Sequence, residues 1–322
     1  MKKVFCYSLI FGILQLIPIR ALGWGFKAHR QLNYAAVFTL PPELFKFYKP
    51  HINYITEKAV NADKRRYAFA DEACRHFLDA DHYEKKVPID TIPNAWNNAV
   101  LKYSEDTLLA YGIVPWHLQR VQYQLTKAFA EKNLYLILKL SADLGHYAAD
   151  LHVPLHSTEN YNGQLTEQEG IHSLWESRLY ELFEPNYDFF TGRASYLPNV
   201  SETIWERFAQ SFAALDSVLI FEKLAGLKHP NKYSLQSNGR TNVKVYNEAF
   251  CIYYNHLLNG MIERRARASI NLIGSLWYTA WVDAGQPDLS NLKEEPLKTE
   301  NNDETLIQTL FQNSRIIGRK ED

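Results

Sequence analysis

The sequence predicts an all-α protein with a single multi-helix domain. In three long segments, apolar residues recur at three- and four-residue spacing, which is the spacing of one face of an α-helix. These segments are 125–151, 202–225 and 243–282. Strand-like alternation of apolar and polar residues is scarce. No internal repeat or change in composition divides the chain, so we predict one domain over residues 24–290.

Proline and glycine indicate where the helices begin and end. Pro42, followed by Glu43, suits the first turn of a helix. Three segments that carry proline or glycine are predicted to be connectors: 87–94, 156–164 and 227–234. The helices therefore alternate with short irregular segments throughout the domain.

Residues 1–23 have the features of a secretory signal peptide. Two lysines precede an uncharged, mostly apolar run over residues 4–19. Ala21 and Gly23 then provide the small residues of a cleavage site before Trp24. The apolar run is shorter than the ~20 residues of a membrane span. We predict an exported protein, periplasmic or secreted, that does not span the membrane.

The charge balance argues against an extended nucleic-acid surface. The formal net charge is −1, and removing the three basic residues of the leader lowers it to −4. Proteins that neutralise many phosphates at once are usually more basic. Any nucleic-acid contact is therefore expected at a local site where metal ions supply positive charge. Cys74 and Cys251 are the cysteines that follow the leader, so one disulfide is open to them.

The segment 291–322 is predicted to be a polar tail. It begins after Gln286-Pro287 and includes the charged stretch EEPLKTENND at 294–303. Apolar positions within 306–311 indicate a short helix that docks on the domain.

Histidines and carboxylates recur at helical spacing. His146 and Asp150 lie four residues apart and so project from one helix face, and His172 and Glu176 repeat this spacing. One such pair alone is commonly a surface ion pair. Two pairs in apolar helical contexts need buried partners, and a metal ion is one. Imidazole and carboxylate are the usual ligands of zinc sites without cysteine. Further residues of these types are His29, Asp63, His76 and His156.

The order of these motifs resembles the S1/P1 nuclease and zinc-dependent phospholipase C superfamily. The motifs are Trp24-Gly25 with His29, Asp63 with Arg66, HFLD at 76–79, HYAADLHVPLH at 146–156 and IHSLWE at 171–176. The resemblance implies the single all-α domain of that superfamily and three zinc ions. It assigns Asp63, His76, His146 and Asp150 to the first zinc, and His156, His172 and Glu176 to the third. It assigns the α-amino group and carbonyl of Trp24, with His29, to the second, which Asp150 bridges to the first.

The resemblance also implies an enzyme, a zinc-dependent phosphodiester hydrolase whose metal ions activate the attacking water. Arg66 matches an arginine near the scissile phosphate, and a salt bridge within the basic KRR run is its structural alternative. Asp79 matches a carboxylate that orients water or substrate, and its alternatives are a helix cap or a partner of a ligand histidine. With Asp63, these residues are the predicted catalytic groups.

Substrate contacts are predicted in the loop between the two ligand groups and beside His76. Asn160, Tyr161 and Asn162 could hydrogen-bond and stack a base, although Asn162 precedes a glycine and also suits an ordinary turn. Phe77 could line a base pocket or box a choline by cation–π contact, or belong to the core.

Three functions follow, in order of preference. The first is an endonuclease for single-stranded nucleic acid or nucleotides, which Arg66, Asp79 and the stretch WGFKAH favour. The second is a phospholipase C that releases a phosphorylated head group and diacylglycerol, which Glu176 and the compact segment from His156 to His172 favour. The third is a non-catalytic, zinc-stabilised binding protein. No stable protein partner is implied.

Overall fold

The computed structural model describes residues 25–238, 241–292, 300–313 and 316–319, and these residues are mostly helical. The α-helices are α1 (Phe26–Val37), α2 (Pro42–Tyr48), α3 (Ile52–Lys58), α4 (Asn61–Arg65), α5 (Ala80–Tyr83), α6 (Trp96–Tyr103), α7 (Glu105–Tyr111), α8 (Val114–Ala130), α9 (Leu134–Asp150), α10 (Ile171–Ser173), α11 (Tyr180–Phe183), α12 (Val200–Lys228), α13 (Glu248–Leu258), α14 (Met261–Asp283) and α15 (Glu300–Asn313). Strands β1 (Tyr233–Asn238) and β2 (Thr241–Tyr246) form an antiparallel hairpin. The prediction of a predominantly α-helical protein is therefore confirmed.

Helix α9 lies at the centre of the core and packs against α1, α3, α8 and α14. Its sequence is apolar on several sides, as expected of a helix with neighbours all round. The ring of Trp277, from α14, stacks on Tyr48 at 4.9 Å between centroids, and its indole N–H donates to the carbonyl oxygen of Ser141. All residues from Ser141 to Asp150 are buried, so the C-terminal half of α9, which carries His146 and Asp150, lies inside the protein.

The third predicted helical segment, 243–282, differs from a single helix. It begins in β2 and continues as α13 and α14, which are separated at Asn259 and Gly260. Both residues have positive φ, 48° and 72°. This conformation ends a helix, and asparagine and glycine are the residues that adopt it most readily. The hairpin has its own sequence signal, the Asn-Gly dipeptide at 238–239.

The two ends of the chain were assigned from sequence to a leader and a polar tail. The leader and Trp24 lie outside the described residues. The helix expected at 306–311 is confirmed and is longer than predicted, since α15 begins at Glu300. It packs on α4, where the ring of Phe311 contacts Tyr67 edge-on at 5.1 Å between centroids.

Two further expectations concern disulfides and membranes. Cys74 and Cys251 are both buried and both free, so no disulfide joins them. Within the part of the chain that the structure describes, no helix combines the length and apolarity needed to cross a membrane.

Candidate metal centre

Helix α9 positions His146 and Asp150, both of which are buried. His146 Nδ1 lies 2.8 Å from the carbonyl oxygen of Ala59, which can only accept a hydrogen bond. When neutral, His146 therefore carries its proton on Nδ1 and directs the lone pair of Nε2 into the site. Asp150 Oδ2 lies 3.2 Å from this Nε2. The backbone contact thus sets the tautomer that a metal ligand requires.

Helix α1 brings His29 to the same place. The His29 ring stacks on His146 at 3.9 Å between centroids, and its Nε2 lies 3.4 Å from Asp150 Oδ1. The two helices approach closely because position 145 is glycine. A Cβ there would lie 2.0 Å from the side-chain oxygen of Asn33, which donates from its amide nitrogen to α9.

The segment 76–79 is not helical, and backbone hydrogen bonds hold it in position. The N–H of Leu78 donates to the carbonyl oxygen of His156, and the N–H of Asp79 donates to that of Tyr111. This arrangement places His76 Nδ1 2.9 Å from Asp150 Oδ2 and 3.8 Å from Oδ1 of Asp63. Residues far apart in sequence therefore meet around Asp150.

His156, His172 and Glu176 form a second group beside the first. The Nδ1 atoms of His156 and His172 face the carbonyl oxygens of His76 and Tyr161, at 2.9 and 3.1 Å. The Nε2 atoms of the two histidines consequently face each other at 3.2 Å, and Glu176 lies 3.0 and 3.1 Å from them. If both rings are neutral, two lone pairs and a carboxylate converge on one point.

The helix that carries His172 and Glu176 is widened over Leu174–Leu179 into π-type turns. Such turns are rare and frequently occur at functional sites. Here the widened turns follow directly after His172 and include Glu176, and both side chains are fully buried.

Among the described residues there are three buried groups, and in each the three ligand atoms lie within 4.8 Å of one another. The groups are His29, His146 and Asp150; Asp63, His76 and His146; and His156, His172 and Glu176. We call the five residues of the first two groups, which share His146, the paired cluster, and the third group the single cluster. Asp150 Oδ1 lies 3.8 Å from His156 Nδ1, so the two clusters adjoin. Asp63 Oδ2 is buried without a hydrogen-bond partner among the described residues, as expected of a carboxylate that binds a cation. The donor set and the fixed tautomers therefore fit metal ions bound by nitrogen and oxygen.

The electrostatics favour the protonation states that bind metal at three of these positions. Burial raises the pKa of Asp150, but His146 and His156 outweigh it and hold the pKa well below its usual range. Burial is likewise outweighed at Glu176, where His172 and His156 lower the pKa to about 2. Burial and the neighbouring His146 lower the pKa of His29 to about 3. Near neutral pH, the two carboxylates are ionised and His29 is neutral.

The pKa values of Asp63 and His146 are both raised, which favours their protonated forms. Burial raises the pKa of Asp63, although His146 and His76 oppose the shift. Burial lowers the pKa of His146, but Asp150 and Asp63 outweigh it and raise the pKa to about 9. A metal ion must displace protons from such groups, so binding is expected to release protons.

A buried charge network behind His76 was not anticipated from the sequence. Glu72 Oε1 lies 3.8 Å from His76 Nε2 and 3.2 Å from an Arg65 nitrogen, and it accepts a hydrogen bond from Tyr147 Oη. Arg65 also pairs with Asp143 at 3.0 Å. The sequence signal was the four-residue spacing of Glu72 and His76, which resembles the ligand pairs. The network lies on the Nε2 side of the His76 ring, opposite the Nδ1 atom that faces Asp150.

The predicted catalytic residue Arg66 lies beside the paired cluster, and Asp79 follows His76 by three residues. Arg66 is buried, and its Nη1 lies 4.0 Å from Asp63 Oδ1. Asp79 is buried as well, and burial raises its pKa to about 6 although Arg319 opposes the shift. Arg319 Nη1 lies 2.6 Å from Asp79 Oδ1. This arginine is distant in sequence and was not predicted to belong to the site.

The four predicted substrate-binding residues fall into two pairs. Phe77 and Tyr161 flank the guanidinium of Arg319, with 4.1 and 3.6 Å from Cζ to the ring centroids. The amide nitrogen of Asn160 donates to Thr166 Oγ1, and its oxygen accepts from the N–H of Leu165. The side-chain oxygen of Asn162 accepts from the N–H of Gly170. Both asparagines therefore order the loop that carries Tyr161, and their substrate contacts stay predictions.

No protein-family model matches the sequence, and no curated protein matches it either.

Proposed function

We propose that this chain is an exported phosphodiester hydrolase that binds three zinc ions and cleaves single-stranded nucleic acid or nucleotides. The observation that carries the proposal is the convergence of three buried nitrogen and oxygen ligand groups in one centre. Each of the eight described ligand residues that the superfamily resemblance assigns belongs to one of these groups. Trp24, the ninth, precedes the described residues by one position.

The two clusters would bind different ions. The paired cluster, which includes Asp150, would hold two ions, and the single cluster would hold the third. Zinc ions in such a centre acidify water and offset the negative charge that builds on phosphoryl oxygens during hydrolysis. Zinc is the metal we propose because imidazole and carboxylate without thiolate suit it, and because hydrolysis requires no change in the oxidation state of the metal.

The residues beside the clusters would bind and orient the substrate. Arg66 keeps its guanidinium within 4.0 Å of Asp63 and is suited to pair with a phosphate next to the ions. Asp79 is positioned to accept a hydrogen bond from a substrate group or from water. Phe77 and Tyr161 offer ring faces to a planar group. Together these residues would place a phosphodiester with a stacked base against the centre.

A second candidate, a phospholipase C, is favoured by one specific observation. The space between Phe77 and Tyr161 holds a cation, the guanidinium of Arg319, beside the carboxylate of Asp79. Aromatic faces with a nearby carboxylate also suit the quaternary ammonium of a choline head group. Both candidates use the same ions and differ only in the group that enters this space.

The test is a side-by-side hydrolysis assay of protein that begins at Trp24. Single-stranded DNA, RNA and short-chain phosphatidylcholine are each incubated with zinc-loaded protein, chelator-treated protein, and chelated protein with zinc restored. We expect nucleotide release that the chelator abolishes and zinc restores. Release of phosphocholine instead would assign the second candidate. Hydrolysis that survives complete metal removal would contradict both candidates.

A matched variant separates this activity from a contaminating enzyme. His146→Gln removes the ligand that the two groups of the paired cluster share and should abolish the chelator-sensitive release. The same substitution at the exposed His256 should leave it unchanged.

A further inference from the structure

The segment 316–319, which we call the tail segment, lies across the predicted substrate site. It follows α15, which packs on α4 and places Phe311 against Tyr67 and Phe26. From there the N–H of Ile317 donates to the carbonyl oxygen of Arg66 at 2.9 Å. The tail segment is therefore anchored at the edge of the metal centre by a packed helix and a backbone hydrogen bond.

Arg319 inserts its side chain into a slot with a specific chemistry. Phe77 and Tyr161 form the two walls, with ring centroids 4.1 and 3.6 Å from the guanidinium carbon. Arg319 Nη1 donates a hydrogen bond to Asp79 Oδ1 at 2.6 Å. Arg319 Nη2 donates to the carbonyl oxygens of Leu155 and Thr158 at 3.4 and 3.2 Å. The contacts on this guanidinium are ring faces and hydrogen-bond acceptors, so the slot suits a planar group that carries N–H donors or positive charge.

The tail segment also engages Arg66, the predicted phosphate-binding residue. Arg66 Nη2 donates to the carbonyl oxygen of Arg319 at 2.5 Å. Backbone and side chain of the tail segment thus contact four predicted substrate-site residues at once: Arg66, Phe77, Asp79 and Tyr161. A carbonyl oxygen faces the group that would bind a phosphate oxygen, and a planar cation fills the space that would stack a base or enclose a head group.

We propose that the tail segment is an internal competitor that occupies the substrate slot and must leave before substrate binds. The proposal rests on the proposed function, since it describes regulation of the same site. Arg319 acts as occupant rather than catalyst because two aromatic rings contact its guanidinium and both terminal nitrogens are hydrogen-bonded within the slot. The packed α15 keeps the segment at a high effective concentration, so modest contacts are enough to close the slot.

The kinetic test compares the zinc-loaded protein that begins at Trp24 with its Arg319→Ala and Arg319→Lys variants. Occupancy of the slot by the tail segment weakens substrate binding, because the apparent dissociation constant equals the intrinsic constant divided by the open fraction. We expect Arg319→Ala to lower KM about tenfold with kcat unchanged, because a desolvated cation–π and carboxylate contact is lost. The KM of Arg319→Lys should lie between those of wild type and Arg319→Ala, because lysine keeps the charge but not the planar guanidinium. Arg193→Ala, at an exposed arginine outside the tail, is the matched control and should behave as wild type. An unchanged or higher KM, or a fall in kcat, for Arg319→Ala would overturn the proposal.

A second measurement reports occupancy without activity. Hydrogen exchange at the Ile317 amide should be slow in wild type and fast in Arg319→Ala. Saturating deoxycytidine monophosphate or phosphocholine should make it fast in wild type, and the ligand that does so identifies the displacing group. Rapid exchange in unliganded wild type would refute the docked tail segment, and protection that neither ligand reduces in an active enzyme would refute the competition. If no substrate is hydrolysed although exchange follows the expected pattern, the hydrolase proposal fails and the occupied slot stands.

Discussion

The paired cluster and the single cluster share the same donor chemistry but depend on different amounts of the fold. The paired cluster assembles side chains from α1, α4, the segment 76–79 and α9. The single cluster uses residues 156–176, a short loop and the helix that follows it. The first therefore exists only when several helices have packed, whereas the second is largely a local structure.

The difference extends to how each histidine is held. His156 and His172 are held by the carbonyl oxygens of His76 and Tyr161, and Glu176 lies 3.0 and 3.1 Å from their Nε2 atoms. Asp150, by contrast, lies within 4.0 Å of imidazole nitrogens of four histidines, including His156 of the single cluster: His29, His76, His146 and His156. A substitution of Asp150 should therefore affect both clusters, and a substitution of Glu176 should affect mainly the single cluster.

The largest expected effect compares Asp150→Asn with Glu176→Asp. Removing the charge of Asp150 takes away the carboxylate between two predicted ions, and a loss of several kcal/mol of charge stabilisation corresponds to roughly a thousandfold lower kcat/KM. Glu176→Asp keeps a carboxylate and shortens its reach, so we expect a loss of roughly tenfold. Rates measured at saturating zinc, with bound zinc counted for each variant, test this order. Equal losses in the two variants would contradict the linking position of Asp150.

A packing variant tests the dependence of the paired cluster on the fold. In Gly145→Ala the new methyl group meets the Asn33 side chain, whose amide nitrogen donates to Ala142 and Ile55. Overpacking and loss of these hydrogen bonds outweigh the gain in helix propensity, for a net cost of about 2 kcal/mol in the free energy of unfolding. Denaturant unfolding measures this cost in free energy. Counting of bound zinc should show that the paired cluster loses its zinc before the single cluster does.

The double variant Asn33→Ala with Gly145→Ala serves as the control for that clash. It removes the obstructing side chain, so it should cost less than the sum of the two single variants. If the cost of the double variant equals the sum of the two single costs, the close approach of α1 and α9 does not depend on this pair.

The contrast between the clusters also explains what the sequence could predict. The pairs His146 with Asp150 and His172 with Glu176 were accessible because helical spacing alone places them on one face. The contribution of Arg319 was not, since it joins Asp79 across 240 residues through a helix docked on the domain. The β1–β2 hairpin had a local signal, but the helical periodicity of the surrounding segment obscured it. Helical spacing therefore predicted the local pairs, whereas no sequence signal predicted the contacts that Arg319 makes through packing.

The smallest expected effect concerns His117, a buried histidine outside both clusters whose ring packs edge-on against Tyr147 at 4.6 Å. Burial, with Arg75 adding to it, lowers its pKa to about 3. Between pH 3 and its ordinary value near 6.5, the unfolded chain therefore binds a proton at this position that the folded protein does not. Stability contributed by neutral His117 is present above pH 6.5 and is lost as the pH falls below it.

His117→Gln removes this titration and should reduce the loss of unfolding free energy between pH 7 and pH 5.5 by about 1 kcal/mol. The measurement is denaturant unfolding of the chelated wild type and variant at both pH values, because chelation removes metal release from the pH dependence. His256→Gln, at an exposed histidine, should leave the wild-type slope unchanged. A wild-type slope in His117→Gln would show that the acid sensitivity arises at groups other than His117.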